Sequence, residues 1–189
     1  MKNMKAGAIC FSLFLFGISA FAQTASNDHQ TMTDVFNHSL SNVEREFVSA
    51  ADAMPADKYS YAPTNGEFKG VRTFALEVRH VATVNYEMGS VILGEKSPVE
   101  MGKEENGSDT LQTKDDIMKY LKDSFTYLHK ALASLNEENL VVPIKSPWGN
   151  GTVTRLGMAL IGVSHPFDHY GQMVEYLRSN GIVPPASRG

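Results

Sequence analysis

Four stretches of helical periodicity constrain the fold of this chain more than any other feature of its sequence. In each stretch, apolar residues recur every three or four positions, which places them on one face of an α-helix. The stretches cover residues 33–54, 73–93, 113–135 and 152–180, and none shows the sustained alternation of a strand. We therefore expect an all-α protein, an antiparallel four-helix bundle with long connecting loops.

Residues that favour helix ends mark most of these boundaries. Thr73 and Thr113 are suitable N-caps for the second and third helices. Pro55 prevents the first helix from continuing, and Gly94 closes the second. Gly181 suits the left-handed position after the fourth helix. The two long polar connections, before the second and third helices, leave room for a crossover instead of a simple up-and-down order.

The N-terminal segment has the pattern of a secretory signal peptide. Two lysines precede the apolar residues 6–19, and Ala20-Phe21-Ala22 forms a small-x-small cleavage site. The apolar run is shorter than the roughly 20 residues that span a bilayer as a helix, although an uncleaved anchor is the alternative. We expect cleavage of residues 1–22, a single domain over 23–189, no stable membrane span after cleavage, and a periplasmic or secreted protein.

Composition excludes several classes of function. The net charge of −4 becomes −6 when the two lysines of the signal segment are removed, so no basic excess exists to bind nucleic acid. The single cysteine, Cys10, lies in the same segment. The mature chain would therefore have neither a disulfide nor a cysteine nucleophile, and would be held together by its core, with or without a metal ion.

Two histidines of the fourth helix are spaced for joint metal binding. His165 and His169 lie one turn apart in the segment SHPFDHYGQ, so both imidazoles project from the same face. The residue after His165 is Pro166, so the pair is not a zinc-protease motif, and we expect a kink there. By spacing alone, two partly exposed surface histidines are the simpler explanation of the pattern.

The same helix has apolar residues on a second side. Its aliphatic stripe comprises Leu156, Leu160, Val163, Phe167 and Val174. The histidines lie opposite this stripe, in line with Met158, Gly162 and Tyr176. We therefore expect the helix to be covered on both sides over its first half, as in a helix that lines an internal site.

The remaining histidines carry weaker signals. His80 lies beside the apolar face of the second helix, where Glu77 could be its partner or could orient it as a metal ligand. His38 and His129 lie off the apolar stripes of their helices, and we expect both to be solvated. His29 falls in a polar stretch without a pattern.

Two segments of the chain resemble the DinB family of four-helix bundles, the DinB/YfiT-like metalloenzyme superfamily. They are KYSYAPT…VRTFALEVRHVATVNY within residues 58–86 and SHPFDHYGQMVEYLRSNGIVPPAS at 164–187. In that family, one histidine of the second helix and two of the last form a metal site. The resemblance implies the same fold here, with His80, His165 and His169 as ligands.

Such a site would suit catalysis. Three imidazoles leave at least one coordination position open, zinc fits the ligand set best, and nickel, iron and manganese are compatible with it. We expect a metal-dependent hydrolase or transferase that acts on a small molecule, with Asp168 and Glu77 as candidate assisting groups. The alternatives are a non-catalytic metal-binding or stress-related bundle, and a structural bundle. A homodimer is compatible with each.

Overall fold

A computed structural model of the protein describes residues 30–188. Four helices dominate it: α1 (Met32–Ala53), α2 (Phe74–Leu93), α3 (Lys114–Ala133) and α4 (Arg155–Ser179). The predicted N-caps Thr73 and Thr113 each accept a hydrogen bond from a backbone amide in the first turn. Gly94 adopts the left-handed conformation at the end of α2, as expected. The expected signal peptide lies outside the described residues.

The four helices form a bundle in which α1 and α2 each pack against both α3 and α4. Hydrogen bonds between helices give their relative directions. The Thr33 hydroxyl near the start of α1 donates to the carbonyl of Leu135, just after α3, so these two helices are antiparallel. Likewise, Arg155 at the start of α4 donates to the carbonyl of Ile92 near the end of α2, so these two are also antiparallel.

Helices α2 and α3, in contrast, run parallel to each other. The Thr83 hydroxyl lies 3.1 Å from that of Tyr120, and the Ser90 hydroxyl lies 3.2 Å from that of Tyr127. Both pairs advance by seven residues in the same direction. The connection between α2 and α3 must therefore return along the bundle, which is the crossover that the long polar loop allowed.

This crossover loop is fastened to α2 by a buried arginine. Arg79 donates to the carbonyl of Asn106 at 2.9 Å and to that of Ser108 at 2.8 Å. Gly102, at φ 66°, lies so close to Gly107 that a Cβ atom would meet the Gly107 carbonyl oxygen at 2.0 Å. Only glycine fits there, and the loop is consequently held in one conformation against the bundle.

A small hairpin precedes α4 and shifts its start from the predicted position. Strands β1 (Pro143–Lys145) and β2 (Thr152–Thr154) pair antiparallel, with Ile144 opposite Val153. The prediction that the helix begins near residue 152 was wrong by three residues, because those residues pair with β1 instead. Thr154 then caps α4. The helix is continuous through Pro166.

The buried face of α4 is not the one with the largest aliphatic side chains. Of the stripe assigned from the sequence, Leu160 and Phe167 are exposed. The opposite face, with Met158, Gly162, His169 and Met173, is buried. The expectation that both sides of α4 are covered was therefore wrong for the aliphatic side. Gly162 leaves room for the Leu128 side chain of α3, which a Cβ would meet at 3.3 Å.

Among residues 30–188, no helix is both long enough and apolar enough to cross a membrane.

Candidate metal centre

Three histidine rings from two helices meet in the contact between α2 and α4. One ring nitrogen from each of His80, His165 and His169 lies within 4.8 Å of the other two. The Nε2 atoms of His80 and His165 are 3.2 Å apart, and the ring centroids of His165 and His169 are 4.5 Å apart. His80 and His169 are buried, and His165 is half-buried. The structure thus brings together the three histidines that were singled out in the sequence.

The second nitrogen of His169 is bound by a buried carboxylate. Nδ1 of His169 lies 2.5 Å from Oε2 of Glu77, and both side chains are almost completely buried. Because a carboxylate only accepts hydrogen bonds, Nδ1 donates, and in the neutral imidazole the lone pair is then on Nε2. Glu77 lies about one turn before His80 on α2, but it orients His169 of α4 and does not pair with His80.

His80 is oriented by the crossover loop. Its Nδ1 donates to the backbone carbonyl of Glu105 at 3.2 Å, so its Nε2 also keeps a lone pair. Glu104 and Glu105 have φ values of 54° and 59°, which residues other than glycine rarely adopt. Arg72 holds the same loop by donating to the carbonyl of Glu104 at 3.1 Å. Backbone strain is thus kept at the residue that positions a histidine of the site.

Both His80 and His165 are held in the neutral form. Burial, together with a smaller effect of the positive charge of Arg72, lowers the pKa of His80 to about 4. Burial lowers the pKa of His165 to about 3, with smaller effects from His169 and His80. Neutral imidazoles are the form that binds metal ions, so these two side chains need no deprotonation at neutral pH.

The third histidine lacks the outer partner that the other two have. Within the described part of the chain, Nδ1 of His165 is buried and has no hydrogen-bond partner. The Nε2 atoms of His80 and His165 are 3.2 Å apart. Since Nε2 of His80 has a lone pair, Nε2 of His165 carries the proton and donates it to His80 when no metal is bound.

The other polar candidates lie around the site or away from it. Gln172 places its amide nitrogen 3.5 Å from Nδ1 of His169 and is otherwise exposed. Asp168 is exposed on α4, and no hydrogen bond or salt bridge within residues 30–188 joins it to the histidines. Tyr86 packs against Tyr120 and Tyr127, with ring-centroid distances of 5.3 Å to both.

One histidine outside the site was misjudged from the sequence. His129 was expected to be solvated, but its Nδ1 lies 2.7 Å from Oδ1 of Asn37 and its Nε2 lies 3.0 Å from Oε2 of Glu44. Both partners belong to α1, so the imidazole bridges α1 and α3. Periodicity within α3 could not reveal partners on another helix. His38 is exposed, as predicted.

Comparison with protein families gives a match over most of the bundle. The family model described as the DinB superfamily matches residues 39–173, which include α2, α3, the crossover loop and all three histidines. A search of curated proteins finds no match.

Solved structures share the fold at low sequence identity. A DinB-like protein from Bacillus subtilis is 22% identical, with a TM-score of 0.60 over 78% of this chain and 92% of that one. A DinB-like protein from Bacillus cereus is 16% identical, with a TM-score of 0.61 over 79% and 93%. A conserved protein from Enterococcus faecalis is also 16% identical, with a TM-score of 0.59 over 79% and 96%.

Proposed function

The chain belongs to the DinB superfamily, and on that premise we propose that it binds one divalent metal ion through His80, His165 and His169 and uses it to transform a small molecule. The reaction class is hydrolysis or group transfer. The observation that carries the proposal is the convergence of three ring nitrogens, two of them with lone pairs fixed by outer hydrogen bonds.

The spacing of the nitrogens suits a transition-metal ion. Two nitrogens bound tetrahedrally to zinc at about 2.0–2.1 Å lie roughly 3.3 Å apart. The Nε2 atoms of His80 and His165 are 3.2 Å apart. Zinc fits three neutral imidazoles best, nickel and iron also bind imidazole well, and manganese, which prefers oxygen ligands, fits less well.

The ligand set supports a reactive role over a purely structural one. Three protein ligands leave a coordination position for water or substrate, whereas structural zinc sites have four protein ligands. A bound ion would act as a Lewis acid and lower the pKa of a coordinated water. A non-catalytic metal-binding bundle is the second candidate. It is favoured because, among the described residues, Glu77 is the only acidic or basic side chain outside the three histidines that is hydrogen-bonded to them.

The side chains around the site have distinct tasks in this proposal. Glu77 accepts the Nδ1 proton of His169 and increases the basicity of its Nε2 atom. The carbonyl of Glu105 accepts the Nδ1 proton of His80 in the same way, but it is a weaker acceptor than a carboxylate. Arg72 adds positive charge beside the site, which favours an anionic ligand in the open position.

Metal analysis tests the proposal directly. Protein purified without a histidine tag should contain about one equivalent of a divalent metal, and His165→Ala should lose it. His38→Ala, an exposed histidine on α1, is the matched control and should retain it. Equal metal content in His165→Ala and the unsubstituted protein would refute the ligand assignment.

A substrate screen then separates the two candidates. Hydrolysis or transfer that disappears with a chelator, returns with added metal and is absent in His165→Ala would establish an enzyme. Metal binding with no turnover across ester, amide and thiol-transfer substrates would favour the non-catalytic bundle.

Export from the cytoplasm is the second part of the proposal, and the N-terminal sequence pattern supports it. The mature protein should begin at Gln23 and occur in the periplasmic or secreted fraction. N-terminal sequencing of the protein from fractionated cells tests both points. A mature N-terminus at Met1 would contradict cleavage.

A further inference from the structure

The outward face of α4 is apolar although nothing in the described chain covers it. Leu160 is 56% exposed and Phe167 is 43% exposed, and both lie opposite the buried histidine face. Ser164 and Gly171 are exposed beside them. A solvent-facing helix surface normally carries charged side chains, yet the exposed positions of α4 before Asp168 carry none.

Large and small residues alternate along this face with the spacing of a helix–helix seam. The large residues Leu160, Phe167 and Val174 recur every seven positions. The small residues Gly157, Ser164 and Gly171 recur with the same period, three positions before each large one. Spacing of three and four is the a/d pattern by which two helices pack side by side.

Gly171 has no explanation within a single copy of the chain. It lies in the interior of α4, where glycine costs roughly 0.5–1 kcal/mol relative to alanine. A Cβ atom there would meet nothing within 4 Å. Gly162, in contrast, makes room for the Leu128 side chain, which a Cβ there would meet at 3.3 Å. Glycine at 171 therefore indicates a close approach by something other than the described chain.

We propose that α4 packs against α4 of a second copy of this chain, antiparallel and about a two-fold axis. Antiparallel seams place each a residue opposite a d residue of the partner. In the register centred between residues 165 and 166, Leu160 then lies over the partner's Gly171, and Phe167 over the partner's Ser164. Val174 lies over the partner's Gly157 in the same way, so each large side chain meets a small one.

A parallel arrangement does not have this fit, because it sets large residues opposite large ones and small opposite small. The contact is therefore self-complementary only about a two-fold axis, which is the symmetry of the commonest homodimers. The absence of charge at its centre also matches the depletion of charged residues in interface cores.

The size of the seam sets the expected affinity. From Gly157 to Val174 it is about 26 Å long at 1.5 Å per residue. A strip of that length and about 10 Å wide is well below the roughly 800 Å² per partner of a standard interface. We expect a weak dimer that dissociates on dilution through the micromolar range.

Sedimentation equilibrium over micromolar to millimolar concentrations tests the dimer. Gly171→Leu should weaken association about tenfold or more, because the new side chain collides with the partner's Leu160. It should leave the folded monomer intact, since the space around position 171 is open. Ser41→Leu, on the exposed face of α1, is the matched control and should not change association.

A compensating pair tests the register. Leu160→Ala alone should also weaken the dimer, whereas Leu160→Ala combined with Gly171→Leu should restore it to within about threefold, because a large residue again faces a small one. A monomer at all concentrations, an unchanged dimer in Gly171→Leu, or no recovery in the double variant would each overturn the proposal. Metal content serves as an independent readout, and none of these variants should alter it.

Discussion

Nδ1 of His169 and Oε2 of Glu77 are 2.5 Å apart, and the Glu77 side chain is only 2% exposed. This pair joins the fourth turn of α4 to the first turn of α2. A buried carboxylate behind a metal-binding imidazole fixes the tautomer and strengthens the bond to the metal.

Glu77→Gln should therefore lower the affinity for zinc by about 10- to 100-fold, because the amide is a weaker acceptor than the carboxylate. Competition with a chromogenic chelator measures the change. Asp168→Asn, which removes an exposed charge next to His169, is the control and should have little effect. Equal losses in the two variants would mean that charge near the site, and not the hydrogen bond, sets the affinity.

The stability of the metal-free protein should fall as the pH is lowered from 6.5 toward 4. Burial lowers the pKa values of His80 and His165 to about 4 and about 3, against 6.5 in an unfolded chain. Between these values the unfolded chain binds more protons, so acid favours unfolding. The contribution of the two neutral histidines to the free energy of unfolding is fully present above pH 6.5 and is lost as the pH falls.

Urea unfolding at a series of pH values, after treatment with a chelator, measures this dependence. His165→Gln should reduce the loss of stability over that range, because one of the two groups is removed. His38→Gln should retain the full loss, since His38 is exposed. A flat profile for the unsubstituted protein would contradict the prediction.

Gly102→Ala should destabilise the protein and also weaken metal binding. A Cβ at position 102 would meet the Gly107 carbonyl oxygen at 2.0 Å, so the loop must shift and move the Glu105 carbonyl away from His80. Gly149→Ala is the control: its φ is 72°, but a Cβ there meets nothing. It should show only the cost of the left-handed conformation, about 1 kcal/mol, with unchanged metal affinity.

His129→Leu should lower the free energy of unfolding by about 1–3 kcal/mol, because Asn37 and Glu44 lose a shared partner while they remain half-buried. Chemical denaturation of the metal-loaded protein measures the change. The same substitution at the exposed His38 should cost much less, and equal costs at both positions would show that the α1–α3 bridge is not stabilising.

The helices could be predicted from the sequence because their signals are local. Thr73, Gly94 and Thr113 each act within one turn, and each was found at a helix end. The start of α4 was missed because residues 152–154 pair with a strand nine residues earlier, an interaction that helical periodicity does not register.

The three histidines of the candidate site were singled out from the resemblance together with the spacing of His165 and His169, whereas their hydrogen-bond partners were not predicted. Glu77 was considered as a partner of His80 and bonds to His169 instead, since the relative rotation of α2 and α4 is set by tertiary packing. The role of Glu105 had no signal at all, because its contribution is a backbone carbonyl.

The histidine side of α4 is buried, as expected, whereas the aliphatic side was expected to be buried and is exposed at Leu160 and Phe167. A helix with small and polar residues on its inner face can have its most hydrophobic side on the outside. The stripe with Leu160 and Phe167 was a real signal for burial, and we attribute it to a second copy of the chain instead of the core.

His80 and His165 are separated by 85 positions along the chain, and the loop that orients His80 lies between them. No fragment that lacks α4 has all three rings, so the proposed ion could be bound by the full set only after α4 has packed against α2. In that case the compartment in which the chain folds, and not the one in which it is synthesised, would determine which metal it acquires.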